Sequence, residues 1–428
     1  MNSDPNPHHE PSRTDAAAAK QTSSLMHALL SSRGNAAACL WTEPLWGIPF
    51  FLYTPFLSVY MLALGVSESQ IGLIASVGLG LQVFAALIGG AITDKIGRRR
   101  TTFMFDMIAW ALPALIWMFA QDAHWFFAAA VLNSLMRITA TSWTCLLTED
   151  APVDMMVHYW AWVNIAGIMV GLVSPVAGLM IERWTLVPTM RGIFAFTFVS
   201  MTAKFVILYI ASTETAIGVK RMAETHNRSI LSLVAEYRAI VRLVLRSRLT
   251  LVGIALMAVV TVYNAVRGSF FAVLLTRGLD FLPHEIGWFP AMRSAVMLLC
   301  YFLVLPHLHR RRHSTVITIG LLLTAAASFL LVVSPVRSYL VVSLSTVIEA
   351  VGTALIVPFF ETLLFRVIDP NERARVLSVA NVLMLAVATP FGWIAGVLSE
   401  VQAALPFVLL GVMLLGGVAV LATAGKRV

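Results

Sequence analysis

The chain has 428 residues, 59% hydrophobic and only 12% charged, with a mean hydropathy of +0.83. A soluble protein carries about a quarter charged residues, so the composition excludes a soluble enzyme and describes a polytopic membrane protein. The net charge of +8 does not make a nucleic-acid surface, because the cations cluster between apolar segments, where retention on the cytoplasmic side accounts for them.

Residues 1–38 hold Pro5, Pro7, His8, His9, Asp15 and Lys20 without an early apolar core. A disordered cytoplasmic tail is expected there, and no signal peptide. A span needs roughly 20 apolar residues. Twelve segments qualify: 39–64, 70–92, 101–120, 125–148, 157–180, 191–211, 249–275, 285–306, 314–334, 338–366, 376–398 and 402–424. Each is expected to be a helix, since in lipid the backbone groups must be satisfied within the segment. Of the 30 lysines and arginines, 22 fall in the tail, the even-to-odd loops and the end of the chain, and four in the opposite loops. Both termini are therefore expected in the cytoplasm.

The loop 212–248 divides the spans into bundles 39–211 and 249–424, with 425–428 as a short cytoplasmic end. Arg238, Arg242 and Arg246 lie four apart in that loop, which predicts a basic amphipathic helix on the inner membrane surface. Cys39, Cys145 and Cys300 all fall inside apolar segments, so neither disulfides nor thiolate metal sites are expected. His307, His309 and His313 flank Arg310–Arg312 and read as a basic surface loop rather than a metal site. No phosphate-binding loop, nucleophile motif or metal-ligand cluster is present, and no cofactor is expected.

The most informative stretch is Gly89-Gly90-Ala91-Ile92-Thr93-Asp94-Lys95-Ile96-Gly97-Arg98-Arg99-Arg100, between the second and third segments. Gly97 permits a tight turn, and the cations mark a cytoplasmic face. A second Arg triplet, Arg310–Arg312, stands in the equivalent loop of the second half without the acid or the glycines.

The run Gly90-x-x-x-Asp94-Lys95-x-Gly97-Arg98-Arg99-Arg100 resembles the signature motif of the major facilitator superfamily, and the 6+6 division resembles that family over about residues 39–424. The resemblance implies an all-α membrane protein with twelve transmembrane helices in two six-helix halves. It also implies a secondary transporter of a small solute, not an enzyme, working by alternating access and monomeric in the cytoplasmic (inner) membrane. In the family this motif stabilises the outward-facing state. Carried over, Asp94 would accept hydrogen bonds from the N-terminal end of the eleventh helix near Arg373 and Arg375. Leu135-Met136-Arg137-Ile138-Thr139 resembles a motif whose arginine is linked to proton coupling in antiporters, with Ala140-Thr141 departing from its usual end. Gly167-x-x-x-Gly171-x-x-Ser174-Pro175-x-x-Gly178 resembles the antiporter signature of the fifth helix, with Ser174 and Leu179 in place of glycines. Small-residue packing accounts for the same spacing. These features lean toward proton-coupled efflux; proton-coupled uptake of a sugar or organic anion is the alternative.

An ionisable group inside a span faces a cavity or a partner. Arg137, Arg267, Arg293 and Glu349 fall on helices that line the family's cavity, with Glu349 the expected proton-binding group and a fixed Glu349–Arg pair its competitor. Lys204 is expected to snorkel or to pair structurally, and Glu43 to be either interfacial or in the cavity. Tyr53, Asn164, Asn264 and Asn381 are candidate substrate contacts, and Pro175 and Pro390 candidate bending points. Asp106, Glu149, Asp150, Glu361 and Asp369 are expected to form an inner gate of salt bridges with nearby arginines.

Overall fold

A computed structural model describes residues 29–152, 155–229, 248–308, 312–367 and 373–424. Side chains are described for these except 248–250, 360–378 and 424. The described residues are helical, with no strand among them. In chain order they form α1 (Gly34–Ala63), α2 (Glu68–Ile96), α3 (Arg98–Phe119), α4 (Ala123–Asn133), α5 (Met136–Thr148), α6 (Met156–Trp184) and α7 (Leu186–Ala211). A short α8 (Ala216–Thr225) follows, then α9 (Leu251–Gly278), α10 (Pro283–Leu308), α11 (His313–Val332), α12 (Tyr339–Val367), α13 (Arg373–Val401) and α14 (Leu405–Ala424).

Eleven helices among the described residues are long and apolar enough to cross a membrane. The segment expected at 125–148 is instead two shorter helices, α4 and α5. Ser134 Oγ donates to the Val131 carbonyl at 2.6 Å, and the Leu135 and Ile138 amides bond three residues back. This tight turn needs no proline or glycine, and it sets Arg137 in the first turn of α5. Asn133 Nδ2 donates to the Ala109 carbonyl at 2.8 Å, within a π-helical stretch of α3, Met107–Ala111. The extra residue per turn leaves a carbonyl for a side chain to satisfy.

Local sequence sets the other joints. Ser67 and Gln70 close a capping box at the start of α2. Gly97, at φ 95°, ends α2 and opens α3. Pro44 and Pro49 are carried inside α1, which tightens to a 3-10 turn at Thr54–Phe56 around Pro55. A similar turn, Gly171–Val173, interrupts α6 just before Pro175, whereas Pro390 lies within a continuous α13. The stretch expected as a surface helix, Ser229–Arg246, lies outside the described residues beyond Ser229. The helix present in this linker, α8, was not expected.

The halves meet along two seams at the end opposite Gly97. In one, α2 packs on α13: a Cβ on Gly72 would strike the Gly392 carbonyl, and one on Gly396 would lie 2.7 Å from the Glu68 carbonyl. Ser76 Oγ accepts from the Trp393 amide at 2.7 Å, Glu400 Oε1 accepts from the Ser69 amide at 3.1 Å, and Glu68 binds the Ser399 hydroxyl. In the other seam α6 packs on α10. Ser174 Oγ donates to the Gly287 carbonyl at 2.7 Å, and Gly171 and Gly178 sit against Ser294 and His284. Small residues let helix backbones approach closely enough for such contacts in a membrane.

The same faces part toward the Gly97 end. Asn164 lies seven residues before Gly171 on one stripe of α6 and is exposed, and a Cβ on Gly167 would meet open space. Asn381 lies three turns before Gly392 on α13 and is also exposed.

Candidate functional site

At the Gly97 end the described contacts of the motif come from the first bundle and from the linker that follows it. Asp94 Oδ1 lies 3.0 Å from Arg98, and Oδ2 lies 2.8 Å from Arg221 of α8. The Thr225 hydroxyl donates to the Asp94 carbonyl oxygen at 3.1 Å. Arg98, only 4% exposed, forms a fork with Glu149 at 2.9–3.1 Å. Glu214 accepts from the Arg98 and Arg99 amides at 2.7 and 3.0 Å, a carboxylate at a helix N-terminus. Arg99 donates to the Tyr209 carbonyl at 2.8 Å and stacks over its ring, and Lys95 reaches the Arg228 carbonyl at 3.0 Å.

Glu149 therefore belongs to the acid cluster expected at this end, and Asp150 accepts from Asn35. The side chains of Arg373, Arg375, Glu361 and Asp369 lie outside the described residues. Glu214 and Arg221 were missed by the sequence reading. Their only signal was Thr215, which caps α8 through the Gly218 amide. Its hydrogen bonds to Asp94 hold the Arg221 guanidinium above its ordinary pKa, so Arg221 stays charged at every physiological pH. Arg221→Ala should free α8 from the motif. An exposed ion pair contributes about 0.2–1 kcal/mol, so amide exchange across Ala216–Thr225 should rise roughly up to fivefold. Unchanged exchange would mean that Thr215 and Glu214 suffice.

Deeper in the first half lie two adjoining cavities. The larger, about 340 Å³, is lined by α1, α2, α3, α4, α5 and α9: Phe50, Tyr53, Trp110, Trp117 and Phe126 supply aromatic walls, Gln82 and Asn133 polar points. Ala265, Gly268 and Ser269 close it from the second half. The smaller, about 230 Å³, is lined by Glu43, Trp46, Asp106, Arg137, Thr139, Trp143 and Lys204. Trp110 and Met136 belong to both walls. Arg137 Nε donates to Gln82 Oε1 at 2.8 Å, so this bond crosses the partition. Among the described residues no acid pairs with Arg137, and Nε alone has a protein acceptor.

Lys204 is buried and bonds Glu43 at 2.9 Å, with its ammonium 5.8–5.9 Å from the rings of Trp46, Trp143 and Phe205. It thus pairs rather than snorkels. Asp106 is corrected from its expected place in the inner gate. It lies two helical turns beyond Arg98 and lines the smaller cavity.

In the second half the structure joins three of the four expected intramembrane charges. Glu349 is buried between Arg267 at 3.1 Å and Arg293 at 2.9 Å, and Thr353 adds a hydroxyl at 3.0 Å. Arg267 also stacks on Phe271 at 4.6 Å. Arg137 stands apart in the first half. Ser294, next to Arg293, is the residue packed on Gly171, which ties this cluster to the α6–α10 seam. Of the four uncharged candidates, Tyr53 lines the larger cavity. Asn164, Asn264 and Asn381 are exposed; Asn264 precedes Ala265, and Asn164 and Asn381 share helix stripes with the seam glycines.

Two helical bundles with seams at one end, intramembrane charges and an internal cavity define a membrane transport protein. The chain belongs to the Major Facilitator Superfamily, whose family model matches residues 46–392. It is thus a multi-pass membrane protein of transport, not an enzyme. No curated protein matches the sequence. Among solved structures, the nucleoside transporter NupG is similar at 15% identity and a TM-score of 0.66, covering 91% of this chain and 98% of its own. A POT family transporter bound to 5-aminolevulinic acid is similar at 14% identity and a TM-score of 0.71, covering 92% and 96%. The human organic anion transporter MFSD10 (TETRAN) is similar at 16% identity and a TM-score of 0.59, covering 96% and 100%. At these identities the likeness extends to the fold.

Proposed function

We propose that this protein is an alternating-access secondary transporter that carries a small organic anion with a flat apolar body, driven by protons. The basic end is taken as cytoplasmic, α4 and α5 as one interrupted crossing, and this conformation as inward-facing, with the α2–α13 and α6–α10 seams closing the outer end.

The observation that carries the substrate class is Arg137. A half-buried guanidinium with no acid partner among the described residues is costly in a membrane, and its Nη groups suit a carboxylate or phosphate oxygen pair. The aromatic walls beside it suit a planar apolar body, and the larger cavity alone is within the usual 300–1,000 Å³ range of ligand sites.

The anion chemistry also bears on direction. Gly171, Ser174 and Gly178 of α6 are accounted for by their seam with α10, which weakens the case they make for efflux. A proton taken up near the site removes negative charge and strengthens anion binding, and such coupling is reciprocal. Proton and anion then travel together, which favours uptake by symport over the efflux to which the sequence leans.

Matched probes test this reading. 1-Naphthoate should stabilise the purified protein against heat more than 1-naphthamide, and Arg137→Gln should weaken naphthoate binding about tenfold or more, the worth of a charge-assisted bond. Equal responses to the two probes would sink the anion assignment. In proteoliposomes an imposed pH gradient should accumulate naphthoate on the alkaline side. Accumulation on the acidic side would put antiport in its place, and indifference to the gradient would remove proton coupling.

A further inference from the structure

The smaller cavity holds an acid that the substrate reading does not use. We propose that Asp106 is the group that takes up and releases the coupling proton, in place of Glu349. This rests on the reading of proton-driven transport given above.

The two acids differ in their surroundings. Glu349 has two guanidinium partners and a hydroxyl around its oxygens. A proton can settle there only after both arginines withdraw. Asp106 is 6% exposed and makes no ion pair among the described residues. One ammonium, Lys204, stands near both Asp106 and Glu43, and it bonds Glu43. Two carboxylates therefore share one cation, and the one left over lines a cavity of about 230 Å³.

The groups facing Asp106 come from every helix packed around it. Glu43 and the Cys39 thiol face it from α1, Thr139 from α5 and Lys204 from α7. Arg137 of α5 shares its cavity, and Arg99 and Tyr209 lie with it around a closed space on its other side. Burial and the second carboxylate favour the neutral acid; Lys204 favours the anion. Opposed influences of this kind let a carboxyl exchange protons without a large rearrangement.

The step is a simple one. A carboxylate oxygen of Asp106 accepts a proton relayed from bulk hydronium by water entering the smaller cavity, leaving Lys204 matched one to one with Glu43. When the proton leaves, Lys204 again serves two carboxylates. The charge change occurs in the cavity that contains Arg137, one hydrogen bond from Gln82 of the larger cavity. Proton occupancy and substrate binding are thereby coupled through the partition.

Infrared difference spectroscopy of the purified full-length protein tests the site without any substrate. A pH step across neutrality should give a protonated-carboxyl C=O signal that is lost in Asp106→Asn and kept in Glu349→Gln. Asp106→Glu should retain the signal at a shifted frequency, which separates loss of the acid from misfolding. A signal that survives in Asp106→Asn, or that disappears in Glu349→Gln alone, overturns the assignment, as does its absence from the wild type. In proteoliposomes, pH-driven naphthoate accumulation should be lost in Asp106→Asn, and its persistence would also overturn the assignment. A wild type that shows the Asp106 signal but no pH-driven flux supports the site and overturns the coupled-transport reading instead.

Discussion

Gly72→Leu should abolish net transport while leaving the protein folded. No side chain fits at this position, because even a Cβ meets the Gly392 backbone of α13. Backbone cannot move aside as the end of a flexible side chain can. The seam would have to open along its length, losing the Ser76–Trp393, Ser69–Glu400 and Glu68–Ser399 bonds together. Each half buries its own contacts independently of this seam, so the expected loss is of one conformation rather than of the fold. The check is accessibility of a cysteine placed at Ser76 to a membrane-impermeant thiol reagent added from the Ser67 side. Labelling should go from protected to nearly complete in the Gly72→Leu background. Protection together with normal flux would show that the seam accommodates a side chain.

Glu349→Gln should be the most destabilising single change in the second half. Removing one partner of a buried ion pair costs about 3–5 kcal/mol, because the remaining charge is left without a counter-ion. Here two arginines are stranded, although their partial exposure toward the cleft lowers the cost to about 2–3 kcal/mol. Arg293→Gln added to Glu349→Gln should recover part of the loss, since the second change removes one uncompensated charge. Thermal unfolding of the detergent-purified protein reads both effects as shifts in Tm. An unchanged Tm for the single variant would mean that water from the cleft already satisfies the arginines. A loss of that size would make the triad a structural clamp on α9, α10 and α12, the competing role weighed for Glu349 in the sequence.

What the sequence made visible follows from contrast. A charge within an apolar run stands out, so Glu349, Arg267, Arg293 and Arg137 were legible as candidates, and three of them do meet. The Asp94–Arg100 motif was legible for the same reason, by its abrupt change of composition. Glu214 and Arg221 were not, because they lie in a polar linker where charge is ordinary and only the folded chain returns α8 to the motif. Gly72, Gly392 and Gly396 were silent, since small residues in apolar segments say nothing about which helix they face. The interruption at Ser134 carries no breaker residue and was read through. Gln82 could have been found: it is a lone amide within the apolar run 71–92, and that type of residue in lipid requires a partner.

The cation over the indoles in the first half has a spectroscopic consequence. Lys204 holds its charge within 6 Å of both Trp46 and Trp143, and indole emission responds to a nearby field. Its ammonium is shared unequally by two carboxylates, so a change in the charge of either alters the field on both rings. The protein therefore carries a native optical reporter at its most polar internal chamber. Emission followed in Trp46→Phe and Trp143→Phe backgrounds would read the charge state of that chamber in real time, without label or substrate.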